Sequence, residues 1–174
     1  ILELMNRKHT IKKYLDTFYK LKKINSNIQF SSDFIISYPG EDENDFKNTL
    51  KLIEKVKFIN SFSFIFSPRP GTVASDLPLI DKKYSLKKLE IIQEKLFNNQ
   101  IKMNKSLENT VQNVLVENRM DDKTKLFGRS EHMTSVLFSG SDDLIGKIVK
   151  IKIISSNRNN LFGKVIDRSN QKVA

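Results

Sequence analysis

Residues 32–41 read SDFIISYPGE. Phe34, Ile35 and Ile36 form a short apolar run of the kind a strand buried on both faces carries, and Tyr38, Pro39 and Gly40 stop it. Asp42, Glu43 and Asp45 come next, placing negative charge at the positive end of a helix dipole, while Lys51, Lys55 and Lys57 come later. Phe46, Leu50, Ile53 and Val56 then recur at helical spacing and predict the buried stripe of that helix. Strand, tight turn and helix together make the unit from which parallel sheets are built.

Upstream, Thr10 is placed to cap a helix whose apolar side is Ile11, Tyr14, Leu15, Phe18 and Leu21. Downstream, Phe62, Phe64 and Phe66 alternate with Ser61, Ser63 and Ile65, the period of a strand, and Pro68, Pro70 and Gly71 end it. We read this phenylalanine ladder as core. After Pro78, Ser85 opens a basic helix to about Ser106 with Leu86, Leu89, Ile92 and Leu96 as its seam. From Leu107 the pattern changes to five short strands: Val111 to Glu117, Leu126 to Arg129, Val136 to Phe138, Ile148 to Ser155 and Leu161 to Ile166. That is the patterning of a small β-barrel. In the fourth strand Val149, Ile151 and Ile153 share one face and Lys150 and Lys152 the other.

The 174 residues are 39% apolar, enough for one ordinary domain or two small ones. Thirty Lys and Arg against 20 Asp and Glu give a formal charge of +10, which favours anionic partners, nucleic acid foremost. The absence of cysteine excludes a disulfide framework, and it excludes thiolate ligation of zinc or an iron-sulfur cluster by this chain alone. No run approaches the roughly 20 apolar residues of a membrane span and no secretory signal opens the chain, so no membrane partner is expected and the location reads as cytoplasmic. Ile1 stands in the middle of what reads as structured sequence, so we expect a piece of a longer protein.

Two segments can carry chemistry. Sites in parallel sheets lie at strand C-terminal ends, so Ser31, Ser32, Asp33 and the backbone after Ile36 can frame a pocket; an ordinary strand-to-helix turn that binds nothing is the plain alternative. Asp33 beside an apolar run needs a partner, structural or ligand, and Glu41 lies just ahead of the helix. In FSPRPGT, residues 66–72, two prolines hold Arg69 where its guanidinium can bind a carboxylate or phosphate in bidentate fashion; a surface arginine is the plain alternative. His9 and His132 have no metal-spaced partners, and there is no Ser-His-Asp spacing or phosphate-cradling loop.

LMNRKHT (Leu4 to Thr10), SSDFIISYPGE (Ser31 to Glu41), Asp45 with Phe46, FSFIFSPRPGT (Phe62 to Thr72) and the closing barrel, in this order, resemble the radical S-adenosylmethionine methylthiotransferases, most closely their tRNA branch. Ser37 and Tyr38 stand where that family has Gly and Phe, and Val73 where it has Pro. The resemblance implies an α/β fold: the C-terminal part of a partial (β/α) radical SAM barrel with a linker helix over residues 1–106, then a five-stranded antiparallel, OB-like TRAM barrel that binds RNA over 107–174. It implies S-adenosylmethionine and two 4Fe-4S clusters as cofactors, an electron donor, and tRNA as partner. The cluster cysteines would lie upstream of Ile1, so this chain alone is expected to be inactive. The implied reaction adds a methylthio group to C2 of N6-isopentenyladenosine beside the anticodon. Relatives act on threonylcarbamoyladenosine or on a ribosomal-protein aspartate.

Carried onto this sequence, the resemblance makes Arg7, Asp33, Glu41, Ser67 and Arg69 cofactor-site candidates. Arg129, Lys150, Lys152, Arg158 and Lys164 become phosphate contacts, while Phe127, Phe138 and Phe162 either fill the barrel, the preferred reading, or stack bases. The rival is a non-catalytic RNA-binding module. It explains the charge and the missing cysteines but leaves SDFIISYPGE and FSPRPGT without a purpose.

Overall fold

The computed structural model describes residues 1–121 and 123–166. Residues 167–174, the end of the expected second domain, lie outside the described residues. The chain divides into two compact units, Ile1–Asn99 and Gln100–Ala174. The division falls inside a helix, whereas the sequence reading puts it at that helix's end, 106/107.

The first unit runs α1 (Ile11–Ile24), β1 (Asp33–Ile36), α2 (Glu43–Val56), β2 (Phe62–Ile65) and most of α3 (Lys82–Ser106). Local chemistry accounts for the helix starts. Thr10 accepts a hydrogen bond from the Lys13 amide at 3.3 Å, and Asp42 forms a reciprocal capping box with Asp45. At the start of α3 the carboxylate of Asp81 accepts from the Tyr84 amide at 3.0 Å, so the helix begins at Lys82, ahead of the expected Ser85.

β1 and β2 pair in parallel, with Asp33 opposite Phe62, Phe34 opposite Ser63, Ile35 opposite Phe64 and Ile36 opposite Ile65. Phe34 and Ile36 pack with Phe18, Phe46, Ile53, Val56, Phe58, Ile92 and Leu96 into one core. Phe34 meets Phe58 edge-on with ring centroids 5.2 Å apart. Each fully buried side chain in this set, such as Ile53 or Ile92, contributes about 1.5–3 kcal/mol relative to exposure.

Two sequence expectations change here. The phenylalanine ladder is not core: Phe62 is 65% and Phe64 53% exposed, because the helices cover the side of the pair that carries Phe34, Ile36 and Ile65. For the same reason β1 is buried on one face, not two. In α3, Leu86 is exposed and the buried positions of the part in the first unit are Ser85, Lys88, Ile92 and Leu96, so a lysine occupies the seam.

The second unit is a closed barrel of β3 (Val111–Arg119), β4 (Leu126–Ser130), β5 (Ser135–Ser139), β6 (Ile148–Ser156) and β7 (Asn160–Val165), in the order β3-β4-β5-β7-β6. All neighbours are antiparallel except β5 and β7, which run parallel because β6, the strand between them in sequence, pairs on the far side of β7. The expected wholly antiparallel barrel is corrected at that one pairing. The interior is Val114, Val116, Leu126, Val136, Phe138, Ile151, Ile153 and Leu161, with Leu107 also buried against it. Gly163 is needed at a close approach: a methyl there would meet the Ile151 side chain and lie 2.7 Å from the Lys152 carbonyl oxygen. Among the described residues no helix is long and apolar enough to cross a membrane.

Candidate functional site

Beyond the C-terminal ends of β1 and β2 an open cavity of about 890 Å³ is framed by the N-terminal segment, Tyr38, and the loop after β2. The Phe66 amide donates to the Ile36 carbonyl at 2.9 Å, which carries the parallel ladder one step past β2 and sets the loop's direction. The Thr72 hydroxyl then donates to the Arg69 carbonyl at 2.8 Å, and Gly71 adopts φ +80, so the arginine sits in a closed turn. Across the cavity the Tyr38 hydroxyl donates to the Leu4 carbonyl at 3.0 Å, fastening the N-terminal segment, and its ring meets Phe66 edge-on at 4.9 Å.

Arg7, Ser67 and Arg69 all line this cavity, with Phe64, Phe66 and Tyr38 among its apolar walls. Arg7 is thus brought to the same cavity as Ser67 and Arg69, 60 and 62 residues further along the chain. Two guanidinium groups beside aromatic faces make a site suited to a ligand with an anionic end and a flat or apolar body. The remaining two candidates are elsewhere. Asp33 is exposed at the start of β1 and is not part of the lining. Glu41 is turned inward, its carboxylate 6% exposed and 2.9 Å from the Lys88 ammonium.

Sequence reasoning missed Lys88, Phe64 and Tyr38. The helical spacing of Ser85, Lys88, Ile92 and Leu96 was the available signal for Lys88. The alternation of β2 was the signal for Phe64, once the covered face is known. Elsewhere in this unit, burial pushes the Tyr14 phenol above its usual range, but Tyr14 packs against the core and does not line the cavity.

On the barrel, alternation sends Ile151, Ile153 and Leu161 inward and leaves Lys150, Lys152 and Lys164 exposed. Lys152 and Lys164 are direct register partners on β6 and β7. Like charges placed opposite each other repel, an arrangement that a bound phosphate relieves. One row along, Phe162 pairs with Leu137, and Leu137 with Phe127, so a half-buried apolar strip, aromatic at both ends, runs across the outer surface of β7, β5 and β4. Lys125 lies over the Phe162 ring at 5.4 Å and Arg129 over the Phe127 ring at 5.3 Å. Phe138, by contrast, is fully buried core.

Arg129 is also engaged within the protein: it lies 3.3 Å from Glu117 and donates to the Met133 carbonyl at 3.2 Å. Arg158 sits in the β6–β7 turn with its Nε donating to Asn159 at 3.1 Å. The turn is anchored from α3, where the buried Asn104 amide donates to the carbonyls of Asn157 at 2.8 Å and Arg158 at 3.0 Å. Asn104 is a further residue that sequence reasoning missed, since a polar residue near a helix end reads as solvated.

Residues 105–166 match the family model of the TRAM domain. A tRNA-2-methylthio-N(6)-dimethylallyladenosine synthase from Pelagibacter ubique (strain HTCC1062) is 68% identical over 174 residues, the whole of this chain and 39% of that relative. Over its whole length the chain is similar to part of this synthase. Members bearing the same name from Ruthia magnifica and Buchnera aphidicola are 44% identical over 95% of the chain and 43% identical over 98% of it. The chain spans about two-fifths of the length of these relatives, 38% and 39% respectively.

Proposed function

We propose that the chain is the C-terminal portion of an enzyme that adds a methylthio group to C2 of N6-isopentenyladenosine beside the tRNA anticodon. The observation that carries this reading is the alignment of the named synthases along the whole chain, cavity and barrel together. The cavity suits S-adenosylmethionine. Arg7 and Arg69 offer guanidinium groups to its carboxylate, Ser67 a hydroxyl at the wall, and Phe64, Phe66 and Tyr38 apolar surface for its adenine. We assign cofactor contact to Arg7, Ser67 and Arg69; Glu41 supports the turn that carries Tyr38, and Asp33 is given no contact. When bound, the cofactor supplies the methyl group and the radical that activates the target carbon.

Iron-sulfur clusters do not fit this chain. It has no cysteine, and among the described residues no group of three or more His, Asp or Glu is arranged to hold a metal ion. In this reading the cluster ligands belong to another part of the enzyme, as does the surface that meets an electron donor.

The barrel is the tRNA grip. Lys150, Lys152 and Lys164 contact phosphates, Arg129 and Arg158 flank them, and the strip of Phe127 and Phe162 offers faces to unpaired bases. A tRNA substrate places the enzyme in the cytoplasm.

The test is complementation of a strain lacking the gene, with mass spectrometry of its tRNA nucleosides. The full-length protein restores 2-methylthio-N6-isopentenyladenosine, and the Arg7→Ala/Arg69→Ala variant does not, although it still binds tRNA. Absence of restoration by the unaltered protein, with tRNA binding intact, would establish the non-catalytic RNA-binding module instead.

A further inference from the structure

We propose that Lys88 is a positioning residue for the cavity of the first unit, acting through Glu41 on the turn that carries Tyr38. The inference rests on the cofactor reading above. The Lys88 side chain is 3% exposed, on the face of α3 that otherwise presents Ser85, Ile92 and Leu96 to the core. Its ammonium lies 2.9 Å from one oxygen of Glu41 and 3.7 Å from Glu43, and it sits over the rings of Phe46 at 4.9 Å and Tyr84 at 4.8 Å. A lysine taken this far out of water is tolerated only when its charge is matched, and an apolar residue would fill the seam without that cost. Its placement therefore calls for a reason beyond packing.

The reason is on the other side of Glu41. Its second oxygen accepts from the Ser37 amide at 3.0 Å, and its own amide donates to the Tyr38 carbonyl at 2.8 Å. Glu41 thus ties residues 37 and 38 from side chain and backbone at once. Both Ser37 and Gly40 have positive φ, +56 and +88, and a serine in that region is strained unless the surroundings hold it. Tyr38, the next residue, is a wall of the cavity and the clasp on Leu4. Lys88 holds the carboxylate, the carboxylate holds the turn, and the turn places the wall. Without the ammonium, Glu41 is a buried carboxylate with no counter-charge beside it, and the bond to Ser37 is lost when the side chain swings out to water.

The experiment uses the full-length protein carrying Lys88→Met, Lys88→Arg, Glu41→Gln, and Lys88→Met with Glu41→Gln. S-adenosylmethionine affinity is measured by equilibrium dialysis and amide exchange at residues 37–41 by mass spectrometry. Lys88→Met is expected to weaken the cofactor by at least about tenfold, as misplacement of a site wall does, while tRNA affinity stays as in the unaltered protein. The double variant, which removes both charges, is expected to bind better than Lys88→Met alone, and Lys88→Arg to retain most of the affinity. Cofactor affinity unchanged in Lys88→Met, or a double variant no better than the single one, would overturn the proposal. If the unaltered protein binds no S-adenosylmethionine, the cofactor reading fails by itself. Exchange then decides the brace: faster exchange at Ser37 in Lys88→Met supports it and unchanged exchange refutes it. Should Lys88→Met not fold, the uncharged pair and Lys88→Arg carry the same comparison.

Discussion

The open side of the β1–β2 pair carries Ile35, Phe62 and Phe64, whereas the outer side of the β6–β7 pair carries Lys150, Lys152 and Lys164. Both follow the same alternation of two, and both leave one face of a strand pair uncovered within its unit. The difference lies in what each face is built to meet. The barrel closes on itself and buries its apolar residues inside, so its outside is free to be charged. The parallel pair has helices on one side only, and its other side, apart from Asp33 at the strand start, stays apolar, a surface suited to a ligand body or to more protein.

The comparison breaks first at the barrel's close approaches. Gly163→Ala pushes a methyl against Ile151 and the Lys152 carbonyl, and about 3 kcal/mol of destabilisation is expected for the second unit, an overpacking cost at the upper end of the usual range. Urea unfolding followed by far-ultraviolet circular dichroism checks it; an unchanged midpoint would mean that the β6–β7 crossing is looser than described. The corresponding probe of the open face is Phe64→Ser. That side chain is already half in water, so its loss is expected to change stability by less than about 0.5 kcal/mol while removing part of the cavity wall. A large loss of stability would show that the face is covered after all.

Much of this is readable in the sequence because local chemistry decides it. Thr10 and Asp42 cap their helices, Pro39 and Gly40 stop β1, and Ile151 and Ile153 point opposite to Lys150 and Lys152. Alternation reveals two faces but not which one the helices cover. In β2 the bulky phenylalanines turn outward and Ser63 and Ile65 turn inward, against the ordinary preference for large apolar residues in a core. The parallel β5–β7 pairing depends on a strand inserted between them in sequence, which no local pattern marks. Arg7, Ser67 and Arg69 are legible as candidates from their motifs, but their meeting in one cavity is not. The pairing of Glu41 with Lys88 is least legible: Glu41 reads as a cofactor-site candidate and Lys88 as one charge among many on a basic helix, and only the fold brings them together in the interior. Asp33 is the converse, expected to need a partner beside an apolar run and found exposed at the start of its strand.

The most direct measurement of the account is the salt dependence of tRNA affinity for the unaltered protein and for the variant carrying Lys150→Ala, Lys152→Ala and Lys164→Ala. Phosphate contacts release counterions, so each lost contact lowers the slope of log affinity against log salt by roughly 0.7–0.9. The slope is expected to be shallower by about two units or more in the triple variant, with the barrel still folded. A slope and affinity equal to those of the unaltered protein would contradict it and place the RNA on another face.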